Sequence, residues 1–261
     1  MKIVKENKNN NETLPVWLYK KEMSCPSCGR VFFDSYPRYT RLRIDYVESD
    51  LRPHYVSDIF PFPYDVTVCY NCGYSMLTDS FSEMNEWQRK RIRETILPKF
   101  QSRNYPLVLT RELADERYKL AQLSIQVMGL KESEKAYFML RSAWFYKNFE
   151  EKSEIEPNHV VQPDENTLRY YRAAVEGFEQ AYVSEPFPIR GMNEVTLAYL
   201  IALLYYRLGD LAKASMWLKE CYSNRSVSAK ENRKILEKIN ALRRIVNAEN
   251  SELIDFEEIS E

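Results

Sequence analysis

Residues 193–223 read NEVTLAYLIALLYYRLGDLAKASMWLKECYS, two apolar-rich stretches joined at Gly209-Asp210. Apolar residues recur at helical spacing on both sides of the joint, which predicts a pair of helices over Asn193–Leu208 and Leu211–Tyr222. Small Ala202 on the first helix and Ala214 on the second allow the axes to approach closely. Tyr205, Leu218 and Cys221 are then placed to fill the groove between them. Such a pair buries only part of its apolar surface, so further helices must stack against it.

Working outward, the same periodicity predicts five more helices: Glu83–Leu97, Arg111–Met128, Lys131–Phe149, Asp164–Val183 and Ser228–Ala248. Pro98 ends the first, with Trp87, Ile92 and Ile96 as its packing residues, and Gly129 caps the second. The second helix offers Leu113, Leu120, Leu123 and Val127 as its apolar face. The third offers Ala136, Leu140, Ala143 and Trp144. The 193–223 unit resembles a tetratricopeptide repeat, with Ala202 and Ala214 at the small positions of its two helices. A second copy is legible in Ala143 and Tyr146, followed by Ala174, Phe178, Ala181 and Pro186, across a polar loop at 150–163. Repeats of this kind bind on the inner faces of their first helices. In this register those faces carry Tyr137, Arg141, Trp144 and Lys147, then Tyr199, Tyr206 and Arg207. Tyr, Trp and Arg dominate interface energetics, so these seven are the expected partner-binding residues.

The chain before residue 81 has a different texture. Prolines at 26, 37, 53, 61 and 63 break it, and short β-prone runs lie between them. Cys25-Pro-Ser-Cys28-Gly29 and Cys69-Tyr-Asn-Cys72-Gly73 are two copies of one local device. Two residues between cysteines make a turn that aims both sulfurs at one ion, and the following glycine permits positive φ. Four thiolates complete a tetrahedral site for one structural Zn2+, and such a site stabilises a loop-rich unit otherwise too small to fold. The fifth cysteine, Cys221, reads as a buried packing residue.

Lys+Arg 37 against Asp+Glu 38 leaves a formal charge of −1, which gives no whole-chain attraction to phosphate or acidic lipid. Six glycines and two histidines leave little room for phosphate-cradling loops or His-based catalysis. No nucleophile–base pattern surrounds His54 or His159, and no carboxylate pair stands out as acid–base machinery, so no catalytic residue is assigned and no enzyme is expected. Arg38, Arg41 and Arg43, interleaved with Tyr36 and Tyr39, are candidate nucleic-acid contacts. Their alternative role is to offset the charge of the zinc thiolates or to pair with nearby acids. The first thirteen residues lack the apolar stretch of a signal peptide, and no apolar run is long enough to cross a bilayer, so a cytoplasmic protein with no membrane partner is expected.

The order of these features carries a further signal. Leu18-Tyr19 and Lys20-Lys21 precede the first cysteine pair. Thr40-Arg41-Leu42-Arg43, Tyr64-Asp65-Val66-Thr67-Val68-Cys69 and Asn71-Cys72-Gly73-Tyr74 follow it, ahead of the helices. This succession resembles a bacterial family of uncharacterised proteins, a domain of unknown function that joins an N-terminal zinc ribbon to tetratricopeptide-like helices. The resemblance implies that architecture, a bacterial cytoplasmic origin and cysteine ligation. The expected fold is therefore mainly α, an antiparallel tetratricopeptide-like array with a small β-rich zinc-ribbon unit. Its segments are a flexible N-terminus (1–16), the ribbon (17–80), the helical domain (81–248) and an acidic tail (249–261). The expected role is a zinc-stabilised scaffold or adaptor for a protein or peptide partner. Nucleic-acid binding through the three arginines is the alternative, and an unrecognised enzyme site ranks third.

Overall fold

The computed structural model describes residues 14–81, 84–150, 164–224 and 228–259. Most of segment 1–16 and of loop 150–163, and the end of the acidic tail, lie outside these described residues. Within them the chain is mainly helical, with small antiparallel strand pairs near the N-terminus. By its contacts it divides into two compact units. One holds the residues up to Ile44 together with Tyr55–Gly129; the other holds Asp45–His54 and the chain from Leu130 onward. The boundary expected at 80–81 marks the change from strand to helix. The division by contacts is a different one, and falls after the second helix.

In the first unit, β1 (Leu18–Ser24) pairs with β2 (Val31–Pro37), Leu18 opposite Pro37 and Ser24 opposite Val31. The chain then passes through a hairpin of β3 (Ile44–Val47) and β4 (Pro53–Tyr55), whose residues Asp45–His54 belong to the second unit. Then β5 (Val66–Val68) pairs with β6 (Ser75–Leu77). Two helices complete the unit, α1 (Glu86–Thr95) and α2 (Arg111–Met128), and α2 packs on β5, β6 and α1. Phe32, Val66, Val68, Tyr74, Phe81 and Ile92 form its core.

The buried face of α2 differs from the expected one. Ala114, Arg117, Tyr118, Ala121, Ser124, Ile125 and Met128 are buried, whereas Leu123 is half exposed. The face is rotated because the strands need small residues for close approach and polar ones for their own unpaired groups. Arg117 reaches the buried Asp34 of β2, Tyr118 Oη donates to the Phe62 carbonyl at 3.0 Å, and Ser124 Oγ accepts from the Ser75 amide at 3.1 Å. The displaced Leu120, Leu123 and Val127, with Ile96 and Phe100, line a cleft of about 540 Å³. Ile92 and Ile96 are buried as expected, but Trp87 is 55% exposed.

The second unit contains α3 (Glu132–Glu150), α4 (Glu165–Ser184), α5 (Glu194–Arg207), α6 (Leu211–Ser223) and α7 (Arg233–Ile259). Side-chain caps start them where the sequence allows: Asp164, Asn193 and Asp210 each accept from the amide three residues on. Packing pairs α3 with α4 and α5 with α6, and α5 also meets α4 and α7. Every residue from Leu197 to Leu204 is buried, so α5 is the central helix. Ala202 and Ala214 are fully buried, and a Cβ added at Gly177 of α4 would sit 3.0 Å from Ala136 Cβ of α3. Small residues therefore bring both pairs together. The last helix starts later and runs further than the expected 228–248. None of the described helices is long and apolar enough to cross a membrane.

Candidate metal centre and a charged cluster

The two cysteine pairs sit in matching turns, one between β1 and β2, the other between β5 and β6. Each turn closes with the same two backbone bonds. Cys25 N donates to Arg30 O (2.9 Å) and Gly29 N to Cys25 O (2.8 Å); Cys69 N donates to Tyr74 O (2.8 Å) and Gly73 N to Cys69 O (2.9 Å). Gly29 and Gly73 take φ of +74° and +76°, a left-handed conformation that lets each turn close behind its second cysteine. Gly73 has a second constraint, since an added Cβ would lie 2.5 Å from the Phe100 ring.

These turns bring all four sulfurs within 4.8 Å of one another. Cys25 Sγ is 3.6 Å from Cys72 Sγ, and Cys28 Sγ is 3.7 Å from Cys69 Sγ. Sulfurs at tetrahedral corners about 2.3 Å from one zinc ion stand about 3.8 Å apart. A disulfide would need about 2.05 Å, and all four cysteines are free. The donor set thus fits a single Zn2+. Hydrogen bonds with Cys69 and Cys72 push Cys25 far up, while the bond from Cys25 pulls Cys69 down to about 2. Helix α1 clamps the first turn: Arg89 Nε donates to Pro26 O at 3.0 Å, and Arg93 donates twice to Ser27 O at 3.1 and 2.8 Å. Asn71 Nδ2 approaches Cys28 Sγ at 3.5 Å.

The second site was not legible beforehand. At the tip of the β3–β4 hairpin, Glu48 N donates to Arg52 O at 2.9 Å, and Leu51 closes the turn at φ +67°. The strand leading in is exposed throughout, Ile44, Tyr46 and Val47 included, whereas Asp50 and Arg52 are 1% exposed. The Glu48 carboxylate accepts from Arg52 Nη2 at 2.5 Å and pairs with His54 and with Lys147 of α3. Asp50 accepts from Tyr171 Oη of α4 at 2.7 Å and lies 3.5 Å from Lys147 Nζ. The Ser49 carbonyl accepts from Tyr199 Oη of α5 at 2.8 Å, and Arg207 meets Ser49 Oγ at 3.4 Å. Lys238 of α7 donates to the carbonyls of Val47 and Glu48 at 3.0 and 2.8 Å.

Electrostatics follow from this geometry. Burial alone would raise Glu48, but the His54 hydrogen bond and the Lys147 and Arg52 charges hold its carboxyl well below the usual range. Burial first, then the Asp50 charge, drives Tyr171 far up, so its hydroxyl stays a donor. Burial lowers Lys238 against the opposing pull of Asp50 and Glu48.

Of the seven residues expected to meet a partner, Lys147, Tyr199 and Arg207 hold the chain's own tip. Trp144 is buried, and its carbonyl accepts from Arg52 Nη1 at 3.5 Å. Tyr137 and Arg141 stand together, with Arg190 stacked over the Tyr137 ring at 4.4 Å. Tyr206 Oη donates to Glu249 at 2.7 Å. In the first unit, Arg38 stacks on Tyr19 at 4.7 Å, Tyr36 meets Tyr39 edge-on, and Arg41 and Arg43 are exposed. His54 stacks on Tyr46 with ring centroids 4.3 Å apart. Cys221 is fully buried, as expected.

Fold and site together define a mainly helical protein with an N-terminal four-cysteine centre. The chain belongs to the family described as "Uncharacterized protein conserved in bacteria (DUF2225)", whose model matches residues 18–246. No curated protein and no solved structure matches it.

Proposed function

We propose that the protein is a non-enzymatic scaffold or adaptor whose helical unit binds a protein or peptide segment, and whose four cysteines hold one structural Zn2+. The observation that carries the reading is the grip of Lys147, Tyr199 and Arg207 on the turn Glu48-Ser49-Asp50 at the hairpin tip. A surface that holds one polypeptide segment by its carbonyl, hydroxyl and acidic groups has the chemistry to hold another. The tetratricopeptide-like reading draws support from the same place: α3 and α5, the first helices of the α3–α4 and α5–α6 pairs, both contribute to the grip. Four thiolates leave zinc no open position, so the ion stabilises the first unit and activates no water.

A second reading, nucleic-acid binding, rests on the exposed Arg41 and Arg43 beside the Arg38–Tyr19 stack. One pull-down from the native cell compares the two. Tyr206→Ala with Arg207→Ala should lose a co-purifying protein, and Arg41→Ala with Arg43→Ala should not. Loss of co-purifying nucleic acid with the second pair alone would reverse the order.

A further inference from the structure

The side chains that the helices send to the hairpin tip share one character, although the hairpin also carries the buried Arg52, which pairs with Glu48 and donates to the Trp144 carbonyl. From the helices, the named contacts come from cations and hydroxyl donors: Lys147, Arg207, Lys238, Tyr171 and Tyr199. The acids come from the hairpin tip, Glu48 and Asp50. The helical surface is therefore built to receive negative charge presented on a turn, with backbone carbonyls read as well as carboxylates.

The tip is held differently from a core element. Its incoming strand buries little, a two-stranded hairpin has little stability of its own, and Leu51 occupies a left-handed conformation that suits glycine. Its attachment rests on ion pairs and hydrogen bonds, which another acidic segment can reproduce one for one. Hydrophobic burial, which a competitor would have to replace by shape, contributes little.

We propose that the inner helical surface is a binding site for an acidic peptide segment of the pattern acid–small–acid, and that Glu48-Ser49-Asp50 is a built-in competitor occupying it until such a partner displaces it. The inference rests on the adaptor reading and adds to it the chemistry of the partner and the means of regulation. A tethered ligand acts at an effective concentration in the millimolar range, so the free groove is masked rather than abolished.

The test uses the full-length chain and a fluorescent twelve-residue peptide with the sequence of residues 44–55, alongside a control peptide with Gln and Asn in place of Glu48 and Asp50. Glu48→Gln with Asp50→Asn in the protein should weaken the built-in competitor and bind the acidic peptide at least tenfold more tightly than wild type does. Adding Arg207→Ala and Lys147→Ala should remove that gain, and the control peptide should bind at least tenfold more weakly. Equal affinity of wild type and variant, or equal affinity for the two peptides, overturns the proposal. If the variant does not fold, wild-type protein decides: 1 mM acidic peptide should speed amide exchange at 45–54 at least threefold over the control peptide. Unchanged exchange overturns the proposal. Should the peptide fail while Arg207→Ala still loses its co-purifying protein, the acidic-ligand inference falls and the adaptor reading stands. Failure of both removes both.

Discussion

The four-cysteine centre and the charged cluster around Glu48 both bury groups that water would otherwise solvate, and they do so by opposite means. In the first, four sulfurs of one kind converge from two short turns, an arrangement that a single cation can satisfy. In the second, carboxylates from a hairpin meet cations and hydroxyls from four helices, and no single group is indispensable in the same way. A metal centre concentrates its stabilisation in a few bonds and fails all at once. A distributed ionic cluster fails by degrees and responds to pH and to competing ligands.

The largest effect should therefore come from the cysteines. Cys69→Ser removes one thiolate of four, and the purified protein should carry less than half an equivalent of zinc. Because metal binding and folding of such units are coupled, the first unit should lose its amide protection while α3 to α6 keep theirs. In the charged cluster, Lys147→Ala leaves Glu48 and Asp50 without a shared cation in a site where both are largely buried. Denaturant melts should record a loss of roughly 3 kcal/mol in the second unit, and Lys147→Met with Glu48→Gln should recover part of it.

Packing supplies a scale between the two. Ala202→Trp or Ala214→Trp forces a large ring between α5 and α6, where both alanines are fully buried, and should cost about 1–3 kcal/mol in thermal or chemical melts. Acid should act next, and more gently. The folded carboxyl of Glu48 is held below its ordinary value of 4.5, so its stabilisation is complete above that value and is lost as pH falls through it toward the folded value. Glu48→Gln should flatten the acid limb of a stability profile of the second unit below about pH 5. The smallest change is at the turn itself: Leu51→Gly relieves a left-handed leucine but loosens the unfolded chain, and should fall within about 1 kcal/mol of wild type.

The same contrast explains what the sequence could be made to say. The cysteine turns are local, since spacing and a following glycine specify each one within five residues, and their convergence needs only one ion. The central helix pair was equally open, because Ala202, Gly209-Asp210 and Ala214 encode approach and turn within a short stretch. The charged cluster draws on residues up to 191 positions apart, as between Lys238 and Val47, and no periodicity relates them. The hairpin that presents it lacks the glycine that usually marks such a turn, because Leu51 takes that conformation. Helix α2 misled for a related reason: its largest apolar residues face a cleft, and its buried face is chosen by the strands that need Arg117, Tyr118 and Ser124 as partners.

Amide exchange measured with and without a zinc chelator tests the division most directly. The account predicts that chelation speeds exchange in the turns around Cys25–Gly29 and Cys69–Gly73 and through β1, β2, β5 and β6. It should leave 45–54 as protected as before, because Lys147, Tyr171, Tyr199, Arg207 and Lys238 still hold the tip. Equal loss of protection at 45–54, or no loss at the cysteine turns, would contradict it.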